Sequence, residues 1–368
     1  MSQSPVSRRN FMAAAGAVPA AAAASRSPVV QAPVAMSAAA ARTPKAPLLI
    51  VTQYQFEPHE IREIQAACPE TPVTVTICSS REEFLAKVGD AEVVYGTINA
   101  DGLRAAKKLQ WVQTGAAGVE SLDRALMTSP VVLTNMARAF APGITETGMG
   151  LLLCLTRGIT KYYMPQFYKR EMKPVGTVKS DHHTELAGRT MGIVGMGGIG
   201  QSIARRAYYG FDMRIVGTDA KPLPRPEYVE ILRDPAWFEE MVPQVDVLVS
   251  AAPHTPQTDK MFNEKVFRSM KKTAYFLALS RGKLFDDMAL VRALKEGWIA
   301  GAGLDVFPQE PPPSNHPIFD CTNVSMTAHT SGWSPDRQKR LVSLFADNVR
   351  RYANGLPLAN VVDKQRGY

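Results

Sequence analysis

The 368-residue chain lacks an uninterrupted apolar run near the ~18 residues that a membrane-spanning helix needs. It also lacks a block of like charges. Its formal net charge is +8, but the basic residues are scattered, so nucleic-acid binding is not expected. The hydrophobic fraction of 45% and the charged fraction of 21% are typical of an ordinary globular protein. A chain of this length predicts two domains.

Cysteine and histidine are scarce. The four cysteines are Cys68, Cys78, Cys154 and Cys321. They are widely separated with no C-x-x-C pair, so no zinc site is predicted. Their apolar neighbours predict buried free thiols, although the even count leaves a disulfide open. Two adjacent histidines, His182 and His183, point apart on most backbones, and we expect no metal site there.

The amino-terminal segment resembles an export address. Ser-Arg-Arg-x-Phe-Met at residues 7–12 precedes a weakly apolar, alanine-rich run with several A-x-A tripeptides around residues 20–24. This order predicts a twin-arginine signal peptide and flexible linker over residues 1–46, and hence export to the periplasm by the twin-arginine machinery. The alternative is a disordered alanine-rich terminus with a chance arginine pair, on a cytoplasmic protein.

From residue 47 onward, strand-like and helix-like segments alternate. Short apolar, β-branched runs such as PLLIVT (47–52) and PVTVTI (72–77) are separated by helical patterns, and the alternation restarts near residue 190. Such alternation indicates parallel sheets covered by helices. The sequence therefore predicts an α/β protein with two doubly wound parallel-sheet domains.

A glycine-rich turn follows one of these strands. Gly195-x-Gly197-x-x-Gly200 comes directly after TMGIV and opens a helix, as in dinucleotide-binding turns. The next strand ends at Asp219, where a carboxylate can bind ribose hydroxyls and repel a 2′-phosphate. This favours NAD over NADP, although nearby Lys221 and Arg225 could weaken the preference.

Three polar residues in the last third of the chain each follow an apolar run. They are Arg281, Glu310 and His329. A histidine can exchange a proton with a hydroxyl or ketone oxygen, a carboxylate can orient its ring, and an arginine can hold a substrate carboxylate. Taken singly, each has a plainer explanation: a structural histidine, an exposed loop carboxylate, or an arginine paired with Asp286.

Together these residues resemble the D-isomer-specific 2-hydroxyacid dehydrogenases. The shared motifs are SRG at 280–282, AGLDVFPQEP at 302–311 and AHTSG at 328–332, within a similarity over roughly residues 92–335. The resemblance implies an NAD(P)-dependent oxidoreductase that interconverts a small 2-keto acid and its D-2-hydroxy acid. Glyoxylate, hydroxypyruvate and pyruvate fit the expected size class. Arg281, Glu310 and His329 would be the catalytic set.

The resemblance also implies a fold and an assembly. A Rossmann NAD-binding domain over residues 146–332 would be inserted into a flavodoxin-like substrate domain over residues 47–145, which residues 333–368 complete. Homodimers are expected, without a membrane span.

Further site residues follow from the same resemblance. The cofactor set is Gly195, Gly197, Gly198, Ile199, Gly200, Asp219, Ala252, Pro253, Leu279, Ser280, Arg281, Asp305 and His329. Asp305 would lie near the nicotinamide carboxamide. The substrate set is Thr97, Gly115, Ala116, Ala117, Gly118 and Arg281, with backbone N–H groups of the turn facing the substrate carboxylate. No metal is expected.

Some positions leave alternatives open. The segment Thr145-Glu146-Thr147 departs from the usual Ala-Glu-His of the family, and Trp333 could line the substrate pocket or pack in the hinge.

Formate dehydrogenases of the same fold carry glutamine at the position of Glu310, so the carboxylate favours keto acid chemistry. A non-catalytic NAD-binding sensor, like the corepressor relatives of this fold, is the competing hypothesis. The presence of all three catalytic candidates argues against it.

Overall fold

The computed structural model describes residues 46–172 and 183–368. The signal peptide and linker predicted over residues 1–46, apart from Ala46, and the predicted absence of a metal site at His182 lie outside the described residues.

The first sheet has five parallel strands in the order β2-β1-β3-β4-β5. Its strands are β1 Leu48–Thr52, β2 Val73–Ile77, β3 Val93–Tyr95, β4 Trp111–Gln113 and β5 Val132–Thr134. The helices between them are α1 Pro58–Ala66, α2 Arg81–Lys87, α3 Ala100–Ala105 and α4 Arg124–Thr128. Neighbouring residues of one strand enter different cores: Ile50 packs with Trp111, whereas Val51 packs with Leu133. Because both faces are buried there, the central strand β1 is apolar at successive positions, whereas the edge strand β2 alternates valine and threonine.

The second sheet has seven parallel strands in the order β12-β11-β10-β9-β6-β7-β8. Its strands are β6 Thr190–Val194, β7 Arg214–Thr218, β8 Ile231–Arg233, β9 Val247–Ser250, β10 Tyr275–Ala278, β11 Gly301–Leu304 and β12 Val324–Met326. Its helices are α7 Gly198–Phe211, α8 Phe238–Met241, α9 Glu264–Ser269 and α10 Asp287–Lys295. Leu248 faces one core while Val247 and Val249 face the other, so this sheet too is covered on both sides. The predicted fold class, two parallel sheets with interleaved helices, is confirmed.

Three further α-helices are α5 Ala141–Thr156, α6 Met164–Tyr168 and α11 Pro335–Ala353. Helix α5 packs Leu152 into a core of the second sheet. Helix α11 belongs instead to the first sheet, where the tilted rings of Phe345 and Trp111 pack with centroids 5.7 Å apart. Full burial of such side chains contributes about 1.5–3 kcal/mol each, which ties the carboxyl-terminal helix to the first sheet.

The last residues of the chain reach from one sheet to the other. Val361 pairs with Thr134 at the edge of the first sheet. The ammonium of Lys364 then donates to the carbonyls of Leu126, Ser129 and Val131 at 2.6–2.9 Å. We call residues 363–368 the tail. It ends with the ring of Tyr368 against Lys221, in the loop after β7 of the second sheet, with Lys221 Nζ 4.4 Å from the ring centroid.

All four cysteines lie in the described part of the chain, and none of them forms a disulfide. Cys68, Cys78 and Cys321 are buried as predicted, but Cys154 is only half-buried, so the prediction of a buried thiol is wrong there. Burial raises the pKa of the Cys78 and Cys321 thiols. Over residues 46–172 and 183–368, no helix combines the length and apolarity needed to cross a membrane. The same residues contain no cluster of three side chains suited to a metal ion.

Candidate active site

The candidate residues of the second sheet lie at one edge. Gly195 follows β6, Asp219 follows β7, Arg281 follows β10 and His329 follows β12. Since all these strands are parallel, the residues that follow them share the carboxyl edge of the sheet. The chain order reverses on either side of β6, and ligands of open α/β sheets bind outside the carboxyl ends at such a reversal.

His329 and Glu310 are in direct contact. The Nδ1 atom of His329 lies 2.7 Å from Oε2 of Glu310, and it donates because a carboxylate can only accept. The other oxygen of Glu310 accepts from the N–H of Phe307 at 2.9 Å, which fixes the carboxylate. The imidazole is 44% exposed, so its second nitrogen is left for a ligand. The pair can therefore exchange a proton at the Nε2 atom of His329 while the carboxylate stabilises the charged ring.

Asp305 holds the loop that carries His329. Its carboxylate is 1% exposed and accepts from the hydroxyls of Thr327 and Ser331 and from the N–H of Thr330. The N–H of His329 donates to the Asp305 carbonyl at 2.7 Å. His329 has a φ of 55°, a left-handed conformation that a non-glycine residue adopts at a cost of about 1–3 kcal/mol and keeps only under such restraint. The prediction that Asp305 lies near a nicotinamide carboxamide stays a prediction.

Arg281 reaches across to the first sheet. Its Nε donates to Oε1 of Glu120 at 3.1 Å, and its Nη1 donates to the Ser280 carbonyl at 2.8 Å. The Nη2 atom lies against Gly118, 1.9 Å from where a Cβ would stand, so any side chain at 118 would displace the guanidinium. Asp286, the alternative partner considered for Arg281, instead caps α10 by accepting from the Ala289 N–H at 2.9 Å.

The turn expected to bind a substrate carboxylate follows β4. The carbonyls of Ala116 and Ala117 accept hydrogen bonds from Met136 and Asn135 at 2.9 and 2.7 Å, which fixes the orientation of the turn. Gly118 brings the turn to Arg281, so the structure joins these two candidates. Small residues leave room for an anion against the backbone. Thr97 is exposed in the loop after β3. The Arg281 side chain donates hydrogen bonds to Glu120 and Ser280 instead.

The glycine-rich turn has the shape that a dinucleotide requires. Gly195 has a φ of 93°, and a Cβ there would lie 2.6 Å from the Ala252 nitrogen. A Cβ at Gly197 would meet nothing within 4 Å, whereas one at Gly200 would lie 2.0 Å from the Gly195 carbonyl oxygen. Open space over Gly197 at the start of α7, where N–H groups point outward, suits a pyrophosphate. The residues present fit a dinucleotide.

Asp219 closes the far end of this region. Its carboxylate accepts from the N–H groups of Met196 and Lys221 at 2.7 and 2.8 Å. Burial lowers the pKa of the Lys221 ammonium, while the nearby Asp219 charge opposes that change. A carboxylate oriented by two backbone donors keeps lone pairs for ribose hydroxyls.

The remaining cofactor candidates lie close to the glycine turn. Ala252 is buried against Gly195. Leu279 is buried against Gly148 of α5, and its N–H donates to the Ser250 carbonyl at 3.1 Å. Pro253 accepts at its carbonyl from the Thr258 hydroxyl at 2.8 Å. Ile199, partly buried, packs on the core beneath α7, and the buried Ser280 hydroxyl also bonds the Ser250 carbonyl.

Sequence reasoning missed three residues at this edge: Glu120, Arg138 and Tyr368. Glu120 pairs with Arg281, and Tyr368 covers Lys221. Arg138 has a φ of 75°, and its Cγ lies 2.7 Å from the point where a Cβ of Gly198, in the glycine turn, would stand. Burial lowers the pKa of the Arg138 guanidinium. No local motif marks these residues, because each reaches the site from a distant part of the chain.

Trp333 is 69% exposed, and the guanidinium of Arg337 lies over its ring, 5.2 Å from the ring centroid. It is therefore not packed inside the hinge. The segment that departs from the usual family pattern is ordered within α5, where the Thr145 hydroxyl donates to the Ala141 carbonyl at 2.8 Å and Glu146 pairs with Arg206 at 3.2 Å.

Comparison with known proteins agrees with this architecture. The sequence profile of the D-isomer specific 2-hydroxyacid dehydrogenase NAD binding domain matches residues 149–331. The chain belongs to the D-isomer-specific 2-hydroxyacid dehydrogenase family. A glyoxylate reductase of Korarchaeum cryptofilum is 32% identical over 295 residues, which cover 78% of this chain and 87% of the relative.

Solved structures give the same result. A D-isomer specific 2-hydroxyacid dehydrogenase family protein from Aeromonas salmonicida is 28% identical, with a TM-score of 0.69 over 87% of this chain and 99% of that one. A probable 2-hydroxyacid dehydrogenase from Rhizobium etli, solved with NADP, has the same fold at 22% identity and a TM-score of 0.71, over 88% of this chain and 100% of that one. The protein is thus an oxidoreductase with the NAD-binding domain of its family.

Proposed function

We propose that the protein reduces a small 2-keto acid to its D-2-hydroxy acid with NADH, and catalyses the reverse oxidation. The observation that carries this proposal is the 2.7 Å contact between His329 Nδ1 and Glu310 Oε2 at the carboxyl edge of the second sheet. Glyoxylate, hydroxypyruvate and pyruvate are the proposed size class, and the name of the Korarchaeum relative supports glyoxylate.

Arg281 and the turn over residues 115–118 would hold the substrate carboxylate. The guanidinium already faces Gly118, so an anion placed there meets a cation on one side and backbone on the other. An arginine fork binds a carboxylate through charge-assisted hydrogen bonds and can also polarise the neighbouring carbonyl oxygen. Thr97 would contribute from the rim.

His329 would supply the proton. In reduction, Nε2 of the imidazolium donates to the carbonyl oxygen as it becomes a hydroxyl, and the ring is left neutral. Glu310 keeps Nδ1 protonated, so that Nε2 is the nitrogen that exchanges the proton. In the reverse direction the neutral Nε2 accepts the hydroxyl proton, and the Glu310 carboxylate stabilises the resulting charge.

The nicotinamide cofactor supplies the hydride when it is bound. Gly195, Gly197 and Gly200 would admit its pyrophosphate over the start of α7, and Asp219 would take ribose hydroxyls. The Asp219 carboxylate supports NAD over NADP, because it would repel a 2′-phosphate. Arg138, lying against Gly198, would add positive charge beside the pyrophosphate.

We also propose the division of labour between the two sheets. Residues 47–145 and 333–368 would form the substrate domain, and residues 146–332 the cofactor domain. The packing of α11 on the first sheet supports this assignment. Homodimer formation is proposed as well, supported by the exposed apolar side chains of Phe167, Tyr168 and Met172. Light scattering on the purified protein tests it.

Export to the periplasm is a separate proposal, which rests on Ser-Arg-Arg-x-Phe-Met at residues 7–12. The twin-arginine route carries folded proteins, so the cofactor could be loaded before translocation. Fractionation of cells that express the full chain and an Arg8→Lys, Arg9→Lys variant tests it. Equal amounts of both proteins in the periplasm would overturn it.

The activity is tested by following NADH absorbance with purified protein and a panel of small 2-keto acids, with His329→Ala assayed in parallel. We expect turnover in the wild type and its loss in the variant. A wild type that binds NADH but reduces none of the keto acids would overturn the proposal.

A further inference from the structure

Glu120 is an acidic residue beside the proposed carboxylate site. Its Oε1 accepts from Arg281 Nε at 3.1 Å, and its Oε2 lies 2.3 Å from where a Cβ of Gly118 would stand. The Nη2 atom of Arg281 lies 1.9 Å from the same point. Glu120 and Arg281 therefore meet over the single glycine that joins the substrate turn to the guanidinium.

This contact sets the charge of the pocket. Arg281 and Glu120 form a pair with no net charge, each with about one third of its side chain exposed. His329, when protonated, is balanced in the same way by Glu310. The four side chains therefore sum to zero, and a substrate with one carboxylate makes the loaded site singly negative. A second carboxylate would add another negative charge within reach of Glu120.

Two of the three basic side chains that line the cavity beside Glu120 are already paired with acidic residues. A cavity of about 350 Å³ beside Glu120 is lined in part by Arg124, His254 and Arg366. His254 contacts Asp259 at 2.8 Å, and Arg366 lies 3.5 Å from Asp363. Arg124 lies at the start of α4, on the same rim of the cavity.

We infer that Glu120 is a specificity-determining residue that excludes 2-keto acids carrying a second carboxylate. Substrates with a hydrogen or a hydroxymethyl group beside the keto carbon are accepted, and a hydroxyl there can donate to the Glu120 carboxylate. This inference rests on the proposed function, because it assigns the substrate class of the same site. It goes further by naming the residue that sets the limit and the chemistry that it rejects.

The size of the effect follows from electrostatics. At the effective dielectric of a half-buried site, the repulsion between two like charges about 6 Å apart weakens binding about tenfold to hundredfold. Removing the Glu120 charge should therefore raise kcat/KM for a dicarboxylate by about tenfold or more relative to that for a monocarboxylate. Removing a negative charge far from Arg281 should leave the ratio of kcat/KM for the dicarboxylate to kcat/KM for the monocarboxylate unchanged.

The experiment measures kcat/KM with NADH for glyoxylate, hydroxypyruvate and oxaloacetate. The variants are Glu120→Gln, Glu120→Asp and Glu120→Lys. Glu146→Gln is the matched control, since Glu146 is an exposed carboxylate paired with Arg206 on α5 and α7. We expect the preference for glyoxylate over oxaloacetate to fall at least tenfold in Glu120→Gln, to fall further in Glu120→Lys, and to persist in Glu120→Asp and Glu146→Gln.

An unchanged preference in Glu120→Gln, with an active wild type, overturns this inference and leaves the proposed function intact. A wild type that reduces oxaloacetate as well as glyoxylate overturns it too. A wild type inactive on all three acids overturns the proposed function itself. Thermal unfolding of each variant shows whether it is folded. If Glu120→Gln is unstable, the comparison of Glu120→Asp, which keeps the charge, with Glu120→Lys, which reverses it, decides whether Glu120 excludes the dicarboxylate.

Discussion

Asp305 accepts two hydrogen bonds from Ser331. The Ser331 N–H donates to Oδ1 at 3.2 Å, and its hydroxyl donates to Oδ2. Both residues are buried, and together they join the end of β11 to the loop after β12 that carries His329. The position of the proposed acid–base residue therefore depends on a carboxylate that lies beneath it.

Replacing Asp305 with Asn should weaken both stability and turnover. The amide cannot accept at both ends, so at least one buried donor of the loop would lose its partner, at a cost of about 1–3 kcal/mol. We expect a lower unfolding temperature and a kcat for glyoxylate reduction at least tenfold below that of the wild type. Ser331→Ala, which removes one hydroxyl, should have a smaller effect on both. Wild-type kcat in Asp305→Asn would contradict this account of the loop.

Replacing His329 with Ala should lower kcat by about 10²–10⁴, the usual contribution of a general acid. Glu310→Gln should lower kcat less, because the charged imidazole loses the carboxylate that stabilises it. The measurement is kcat for glyoxylate reduction by the wild type and both variants. A wild-type kcat in Glu310→Gln would show that the 2.7 Å contact is not used in catalysis.

Replacing Asp219 with Ser should shift the cofactor preference toward NADPH. Without the carboxylate, a 2′-phosphate is no longer repelled, and the nearby Lys221 ammonium can pair with it. We expect the ratio of kcat/KM for NADH to that for NADPH to fall at least tenfold. Lys221→Met is the matched control and should move the ratio in the opposite direction. An unchanged ratio in both variants would place the ribose elsewhere.

Replacing Lys364 with Met should destabilise the fold by about 1–3 kcal/mol, since the carbonyls of Leu126, Ser129 and Val131 would lose a buried donor. Burial lowers the pKa of the Lys364 ammonium in the folded state. The folded protein therefore releases this proton at a lower pH than the unfolded chain does, so the wild type should gain stability relative to Lys364→Met as the pH rises toward 10.5. Denaturant unfolding at neutral and alkaline pH measures the difference, and a difference that shrinks with rising pH would contradict the assignment.

Features carried by short stretches of sequence were predictable. The strands around the glycine turn are rich in apolar residues, Gly195 and Gly200 have a steric reason to be glycine, and Gly197 leaves open space for a ligand, so the turn could be recognised without a structure. The Asp286 cap of α10 was predictable in the same way, because a helix start needs a side-chain acceptor.

Contacts between distant parts of the chain were not predictable. Arg281 and Glu120 are separated by 161 positions, and only the packing of the two sheets brings them together. Asp286 was the nearer partner for Arg281 in sequence, but the cap takes that carboxylate. Likewise, nothing in the sequence around Arg138 indicates that its side chain would lie against Gly198.

The course of the tail bears on how the protein is prepared. A purification tag fused directly after residue 368 would extend from Tyr368, whose ring lies on Lys221 beside Asp219. Any peptide added there would compete for the region proposed to bind the adenosine half of the cofactor. Cofactor affinities measured on carboxyl-tagged material would then describe the tag as much as the enzyme, and cleaving the tag before assay is the direct remedy.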